Sequence, residues 1–191
     1  MSNYYTDEEL KTLNFRKIGK NTLISKKTSF YGANNISIGD NCRIDDFCIL
    51  SSGSSEGFDI GNYVHISNSV SITGKGKVTI GDYAALSGKV SVYSSTDDFS
   101  GEFMSNPCVG NFNIELTNVY SNHVYIGKHV IIGCNSVVLP KAYIADGISI
   151  GALSKVNKKL EKIGIYQGNP LKFFKEKSLR FLELEKQIAS A

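Results

Sequence analysis

The chain's 191 residues correspond to one domain, since domains run to roughly 100 to 200 residues. Hydrophobic residues make up 41% and charged residues 20%, which suits a chain that buries a core and excludes a disordered or fibrous one. The formal charge of +3, from 21 Lys and Arg against 18 Asp and Glu, is too small to point to nucleic acid or an anionic membrane as a partner.

At the N-terminus, Thr6-Asp7-Glu8-Glu9 has the form of a capping box. With Leu10 and Leu13 it predicts a short helix inside a capping segment over 1–22. No apolar run reaches the ~18 residues of a membrane span, and the acids within 1–10 do not suit a signal peptide, so a cytoplasmic location is expected. Cys42, Cys48, Cys108 and Cys134 form no CxxC pair and no cluster with zinc spacing. Free thiols and no metal site are expected.

From residue 23 to about 170 the chain repeats a unit of six residues, the signature of a solenoid. Its clearest copies begin at Ile38-Gly39, Ile60-Gly61, Ile80-Gly81 and Ile126-Gly127, each with a second small or aliphatic residue four places after the first. The aliphatic position returns at Ile132, Val138, Ile144, Ile150 and Val156. A helix would repeat at three and four and a lone strand at two, so neither accounts for a period of six. Three short strands joined by three corners make a coil of eighteen residues with the leading aliphatics inward. Gly, Asn and Asp are expected to supply the corner conformations. Cys42 and Cys48 then occupy inward positions.

Ile80 and Ile126 stand 46 positions apart, and one coil reaches only Asp98. A loop over about 98–123 must leave the solenoid, and ordered loops of that length are usually functional. Gly74-Lys75-Gly76-Lys77 lacks the full GxxxxGK[ST] phosphate-loop pattern and falls at a coil corner. After Pro170, Leu171, Phe174, Phe181, Leu182 and Ile188 fall near one face of a helix, predicted over 171–191. Both terminal segments would cover the exposed ends of the solenoid.

The tandem [LIV]-G-x-x-[small]-x units, the long loop and the ending Ile165-Tyr166-Gln167-Gly168-Asn169-Pro170 together resemble the hexapeptide-repeat acyltransferases, over about Leu23 to Lys175. The resemblance implies a left-handed parallel β-helix, a handedness the repeat alone does not give. Within the family the sequence is most similar to the galactoside and maltose O-acetyltransferase branch. Polysaccharide O-acetyltransferases with a Ser-Asp-Asp-like loop are nearest, here Ser95-Thr96-Asp97-Asp98-Phe99-Ser100-Gly101. It further implies a homotrimer with active sites between subunits, acetyl-CoA lying along the outside of the coils, a sugar hydroxyl as acceptor and no metal.

One departure matters for mechanism. The family's usual catalytic histidine opens the long loop, and counting from Ile80 puts Asp97 there. A carboxylate titrating near ~3.9 is a poor base for a hydroxyl, whereas an imidazole near ~6.5 is a suitable one. His65, outward at the sixth place of its hexapeptide, matches a position that lines the sugar site in the galactoside branch, and is the expected base. Asp97 of the neighbouring chain would orient it, with Asp98 beside it. His123, where the loop rejoins the coils, is the second candidate base. The competing reading makes the histidines ordinary strand residues and both aspartates turn formers. For the donor, the resemblance maps Asn157 and Lys158 near the 3′-phosphate of CoA and Lys172 and Lys175 onto basic residues after the Gly-x-Pro corner. Cys134 and Ala152 map to small positions beside the pantetheine arm.

The sequence reading is therefore an acetyl-CoA-dependent sugar O-acetyltransferase modifying a cell-surface polysaccharide or its precursor. Its rivals are N-acetylation of a nucleotide-linked amino sugar and a non-catalytic trimeric β-helix scaffold.

Overall fold

In the computed structural model, which describes residues 3–189, the six-residue units form short strands, mostly of two to four residues. Stacked coils align them into sheets of seven, eight and six strands, the three sides of a left-handed parallel β-helix of about seven turns. The first sheet runs from Lys17–Ile18 through Ile36–Ile38, Phe58–Ile60, Val78–Ile80, Val124–Ile126 and Tyr143–Ile144 to Lys159–Leu160. The second begins Leu23–Ile24, Arg43–Ile44, His65–Ile66 and Ala85–Leu86 and continues through Ile131–Ile132 and Ser149–Ile150 to Ile165–Gln167. The third is Ser29–Tyr31, Ile49–Ser52, Ser71–Gly74, Ser91–Tyr93, Val137–Val138 and Lys155–Val156.

The leading aliphatics stack in register inside. Ile38, Ile60, Ile80, Ile126 and Ile144 line the first sheet, and Ile24, Ile44, Ile66, Leu86, Ile132 and Ile150 the second, nearly all with under 6% exposure. At the second inward position the chain alternates apolar residues with hydroxyls and thiols that bond to the next coil. Thr22 Oγ1 donates to Gly39 O at 2.9 Å, and the Cys42 and Cys48 thiols donate to Gly61 O and Ser67 O at 3.0 Å. Buried polar groups are thus satisfied without leaving the repeat.

The glycines of the Ile-Gly units do a different job from the one expected. None of Gly39, Gly61, Gly81 or Gly127 has a positive φ; a Cβ on Gly39 would lie 2.5 Å from Gly61 O and one on Gly81 2.6 Å from Lys128 N. They are required by the approach of adjacent coils. The left-handed corner residue comes two places later, at Asn41, Tyr63, Tyr83 and His129, with φ between 56° and 59°. That conformation costs a non-glycine residue roughly 1–2 kcal/mol. Ring stacking offsets it where aromatics replace Asn: Tyr63 on Tyr83 at 4.9 Å and Tyr83 on His129 at 4.8 Å.

The intervening residue of the unit ties coils together. Asp40, Asn62 and Asp82 each accept from a backbone N–H of the preceding coil, at 2.8, 2.8 and 2.7 Å. The ladder breaks at Lys128, and there the C-terminal helix docks. Glu185 accepts from Lys128 Nζ and, at 2.7 Å, from His129 Nε2, while Phe181 packs on the His129 ring at 4.9 Å.

Both ends differ from the expected boundaries. The capping box forms, with Glu9 N donating to Thr6 Oγ1, and starts a helix at Asp7–Thr12 whose Leu10 is buried. Lys17–Ile18, placed in the capping segment by the sequence, already pairs with Ser37 and Ile38 as part of the solenoid. At the other end the helix covers only Arg180–Ala189. Lys172–Lys175 is instead an antiparallel strand against Ile165–Gln167, because the last strand of the second sheet otherwise leaves an open edge. The expected segments also included Met1, Ser2, Ser190 and Ala191, which lie outside the described residues.

The excursion leaves the coil slightly earlier than expected. Ser95–Asp97 and Val119–Ser121 form an antiparallel hairpin stem, with a helical turn at Pro107–Gly110 and a 3-10 turn at Ile114–Leu116 beyond it. Among the described residues no helix is long and apolar enough to cross a membrane.

Candidate active site

Strand alternation sends every second residue of the second sheet outward, so successive coils build two outward columns. One carries Arg43, His65, Ala85 and Ile131, paired in register. The adjacent one carries Asp45, Ser67, Ser87, Gly133 and Gly151, linked coil to coil by their backbone N–H groups. Side chains shrink along this column toward the C-terminal coils. The next positions, at the corner with the third sheet, are Asn68, Gly88, Cys134 and Ala152, and they too stay small. Together they form a strip of small residues parallel to the solenoid axis.

His65 stands half-exposed at one end of this surface. Its Nε2 donates to Asp45 Oδ2 at 2.9 Å, leaving Nδ1 outward, and Arg43 Nε donates to Asp45 Oδ1 at 2.7 Å. Burial alone would raise the Asp45 carboxyl, but the bonds from His65 and Arg43 outweigh it and hold it below the usual range. Within one chain, then, the carboxylate orienting His65 is Asp45, twenty residues away; the Asp97 expected to orient it belongs to a neighbouring chain. Asp45 escaped the sequence reading because its link to His65 crosses from one coil to the next.

Asp97 lies past the third sheet, at the end of the hairpin strand, opposite Val119. Its carboxylate has no hydrogen bond or ion pair among the described residues. The neighbouring Asp98 is fully engaged. Its carboxylate accepts from Ser100 N at 2.7 Å, Ser100 Oγ at 2.6 Å and Asn118 Nδ2 at 3.3 Å, and the Ser100 bonds hold its pKa below the ordinary value. Asp98 shapes the loop that presents Asp97.

His123 is on a different side, the outer face of the first sheet. Its Nε2 is 2.9 Å from Thr79 Oγ1 and its ring meets Tyr125 edge-on; burial first, then Lys77, push its pKa down. The structure does not bring it near His65. Of the residues expected near CoA, Cys134 and Ala152 are exposed neighbours in the strip. Lys158 Nζ donates to Leu171 O at 3.2 Å, which sets it beside Lys172 at the C-terminal end of the solenoid. Lys172 and Lys175 lie on the final strand, and Asn157 precedes Lys158 in the exposed turn. Among the described residues no group of three or more His, Cys, Asp and Glu could hold a metal ion.

No protein-family profile matches the chain. It is 52% identical over 182 residues to the dTDP-4-amino-4,6-dideoxy-D-glucose acyltransferase of Escherichia coli, covering 95% of this chain and 93% of that one. Its fold is similar to that of AntD, an N-acyltransferase from Bacillus cereus solved in complex with dTDP-4-amino-4,6-dideoxyglucose and coenzyme A. The TM-score is 0.92 and the identity 39%, over 100% of this chain and 98% of that one. AntD has also been solved with dTDP and 3-hydroxybutyryl-CoA, and with substitutions at a serine and at an aspartate ten positions later. A maltose O-acetyltransferase from Clostridium difficile 630 shares the fold, with a TM-score of 0.56 and 20% identity, over 92% of this chain and 80% of that one.

Proposed function

The chain belongs to the hexapeptide-repeat acyltransferases of β-helix type, and on that premise we propose that it N-acylates a nucleotide-linked amino sugar, with dTDP-4-amino-4,6-dideoxyglucose as acceptor and an acyl-CoA as donor. The observation that carries this reading is the 52% identity, over nearly the whole of both chains, to an enzyme named for that acceptor.

The chemistry agrees. A sugar hydroxyl needs a strong general base, which the family supplies as a histidine at the head of the loop. This chain has Asp97 there. An amine needs far less help, because its neutral form attacks unaided and only then, as the tetrahedral intermediate's ammonium, becomes acidic enough for a carboxylate to deprotonate. The nitrogen bonds to the thioester carbon, the C–S bond breaks, and CoA leaves as the thiolate. Asp97 takes the proton that the new amide nitrogen must lose.

A second position follows from the relative. Ser/Asp pairs ten apart occur in this chain at Ser87–Asp97 and Ser136–Asp146, and alignment over the full length of both chains admits only the small offset of the first. Ser87 lies beside the small-residue strip, so we assign it a hydrogen bond to the reacting group while the pantetheine arm runs past Gly133, Cys134 and Ala152. Asn157, Lys158, Lys172 and Lys175 take the CoA phosphates. Ser87 precedes the third-sheet strand Ser91–Tyr93 and Asp97 follows it, at opposite edges of one side. Both can act on one acceptor only if adjacent copies share a site, as in a homotrimer. His65 of a neighbouring copy, already oriented by Asp45, then contacts the sugar and not the leaving proton.

The test is CoA release, read with a thiol reagent, from acetyl-CoA and 3-hydroxybutyryl-CoA in the presence of the 4-amino sugar nucleotide or its 4-hydroxy counterpart. Acylation of the amine is expected, with Asp97→Asn losing ~10²-fold or more in kcat/KM and His65→Ala no more than a few-fold. Acylation of the hydroxyl alone, abolished in His65→Ala, would replace this reading with O-acetylation.

A further inference from the structure

Lys75 lies at the corner between the third and first sheets, in the Gly74-Lys75-Gly76-Lys77 stretch that no role so far has used. Its backbone is held on both sides: Lys75 N donates to Ser95 Oγ at 3.1 Å, and its carbonyl accepts from the Ser54 hydroxyl. Both flanking glycines press against the stem of the excursion. A Cβ on Gly74, where φ is +138°, would lie 2.3 Å from Ser94 Oγ, and one on Gly76 2.5 Å from Asn122 O. The stem of Lys75 crosses Gly53, whose Cβ would stand 3.2 Å from Lys75 Cγ.

The other cations of this corner are paired with a carboxylate. Arg16 and Lys77 share Asp59 at 2.5 and 3.0 Å. Lys75 has no acidic partner among the described residues. It lines a cavity of about 200 Å³ under the excursion, together with Asn111, Ile114, Thr117 and Val119. Val119 is the residue that pairs with Asp97. A free ammonium, a neutral amide on Asn111 and apolar walls thus converge beside the strand that carries the proposed proton acceptor.

We propose that Lys75 binds the diphosphate of the acceptor, so that Asp97 and Lys75 hold opposite ends of one sugar. The proposal rests on the nucleotide amino sugar reading above. Such a sugar carries its amine at C4 and its diphosphate across the ring at C1, a basic nitrogen and a polyanion separated by one pyranose. Ser95, whose Oγ accepts from the Lys75 backbone N–H, is two residues before Asp97 on the same strand, so Lys75 is rooted beside the strand that carries the carboxylate. Carboxylate and ammonium suit an amine at one end and a polyanion at the other. A lysine suits this task as a mobile point charge.

The experiment is calorimetric titration of the full-length protein, Lys75→Ala and Lys75→Arg with dTDP, dTMP and CoA. The expected result is a Kd for dTDP raised about tenfold in Lys75→Ala, the size of one charge-assisted hydrogen bond. The change for dTMP should be smaller, Lys75→Arg should stay within about threefold, and CoA affinity should be unaltered. Unchanged dTDP binding by Lys75→Ala overturns the proposal while leaving the acceptor reading intact. A parallel loss of CoA affinity also overturns it, since Lys75 would then serve the donor or the fold. A wild-type protein that binds CoA but neither thymidine nucleotide removes the acceptor reading and this proposal with it.

Discussion

Gly81→Ala tests whether adjacent coils, and not corner conformation, demand the glycine of the Ile-Gly unit. The new Cβ would stand 2.6 Å from Lys128 N, 2.8 Å from Gly127 C and 3.0 Å from Lys128 Cα, all backbone atoms. Ordinary contact begins near 3.5 Å, so the coils must part by roughly 1 Å at a spacing of about 4.8 Å. Overpacking of this kind costs about 1–3 kcal/mol. The separation also stretches Gly81 N→Ile126 O, now 2.7 Å, and His129 N→Asp82 O, now 2.9 Å, at roughly 1 kcal/mol for such a bond. The expected loss is about 3 kcal/mol. Gly88→Ala is the control: its Cβ meets only Asn68, nearest at the side-chain Oδ1, 3.0 Å away and free to swing, so a change within about 0.5 kcal/mol is expected. Urea unfolding at one fixed protein concentration reads both. With a slope near ~2 kcal/mol per molar, Gly81→Ala should lower the midpoint by about 1.5 M and Gly88→Ala by under about 0.3 M. Equal shifts in the two variants would refute the close-approach argument.

Thiol chemistry should divide the cysteines: burial pushes up the pKa of Cys42 and of Cys48, the latter to about 11, whereas Cys108 and Cys134 are exposed. At pH 8 no more than two thiols should react quickly with a disulfide reagent in the folded protein and four after unfolding; saturating CoA should slow Cys134, and a third fast thiol would contradict the packing. Ile66→Ala, between Ile44 and Leu86 with no exposed surface, should cost about 2–5 kcal/mol in the same urea assay and leave CoA affinity unchanged below the transition. Bonds from Lys128 and then His129 hold the Glu185 carboxyl below its ordinary value, so docking of the C-terminal helix gains from that ion pair above pH ~4.3 and loses it as pH falls through the lowered pKa. Protection of the amides over 180–189, relative to their intrinsic exchange rate, should therefore fall selectively at acid pH, and Glu185→Gln should show the low protection at neutral pH; unchanged protection across that range would remove the latch.

The regular coils were legible because each inward residue meets the same neighbours one coil up and one coil down, so a period of six in the sequence is a period of six in the contacts. Ile66 needs to be aliphatic whichever coil it belongs to. The glycines were legible as a pattern but not in their cause, since contact with the next coil's backbone is invisible in a single hexapeptide. The termini misled for a related reason. Lys172-Phe173-Phe174-Lys175 has the apolar spacing of a helix face, yet the open edge of the second sheet captures it as a strand, a tertiary choice that outweighs local pattern.

Outward positions are less constrained by packing than inward ones, so their side chains are freer to vary. Along the column Asp45, Ser67, Ser87, Gly133 and Gly151, backbone geometry is nearly constant while the side chain falls from a carboxylate to nothing. Packing between coils accounts for its small end, since a Cβ on Gly133 would lie 2.4 Å from Ala152 N and one on Gly151 2.9 Å from Gln167 Cβ, but not for the step from Asp45 to Ser67 and Ser87. On the proposed function, the acyl-CoA would lie against the small end and the acceptor would meet the larger end, with Ser87 between them. The residues the resemblance singled out, Cys134 and Ala152 beside the small end and His65 beside the larger, lie along this surface. Sequence reasoning passed over Ser87, which has no distinctive neighbour in sequence and acquires meaning only from its place between the two.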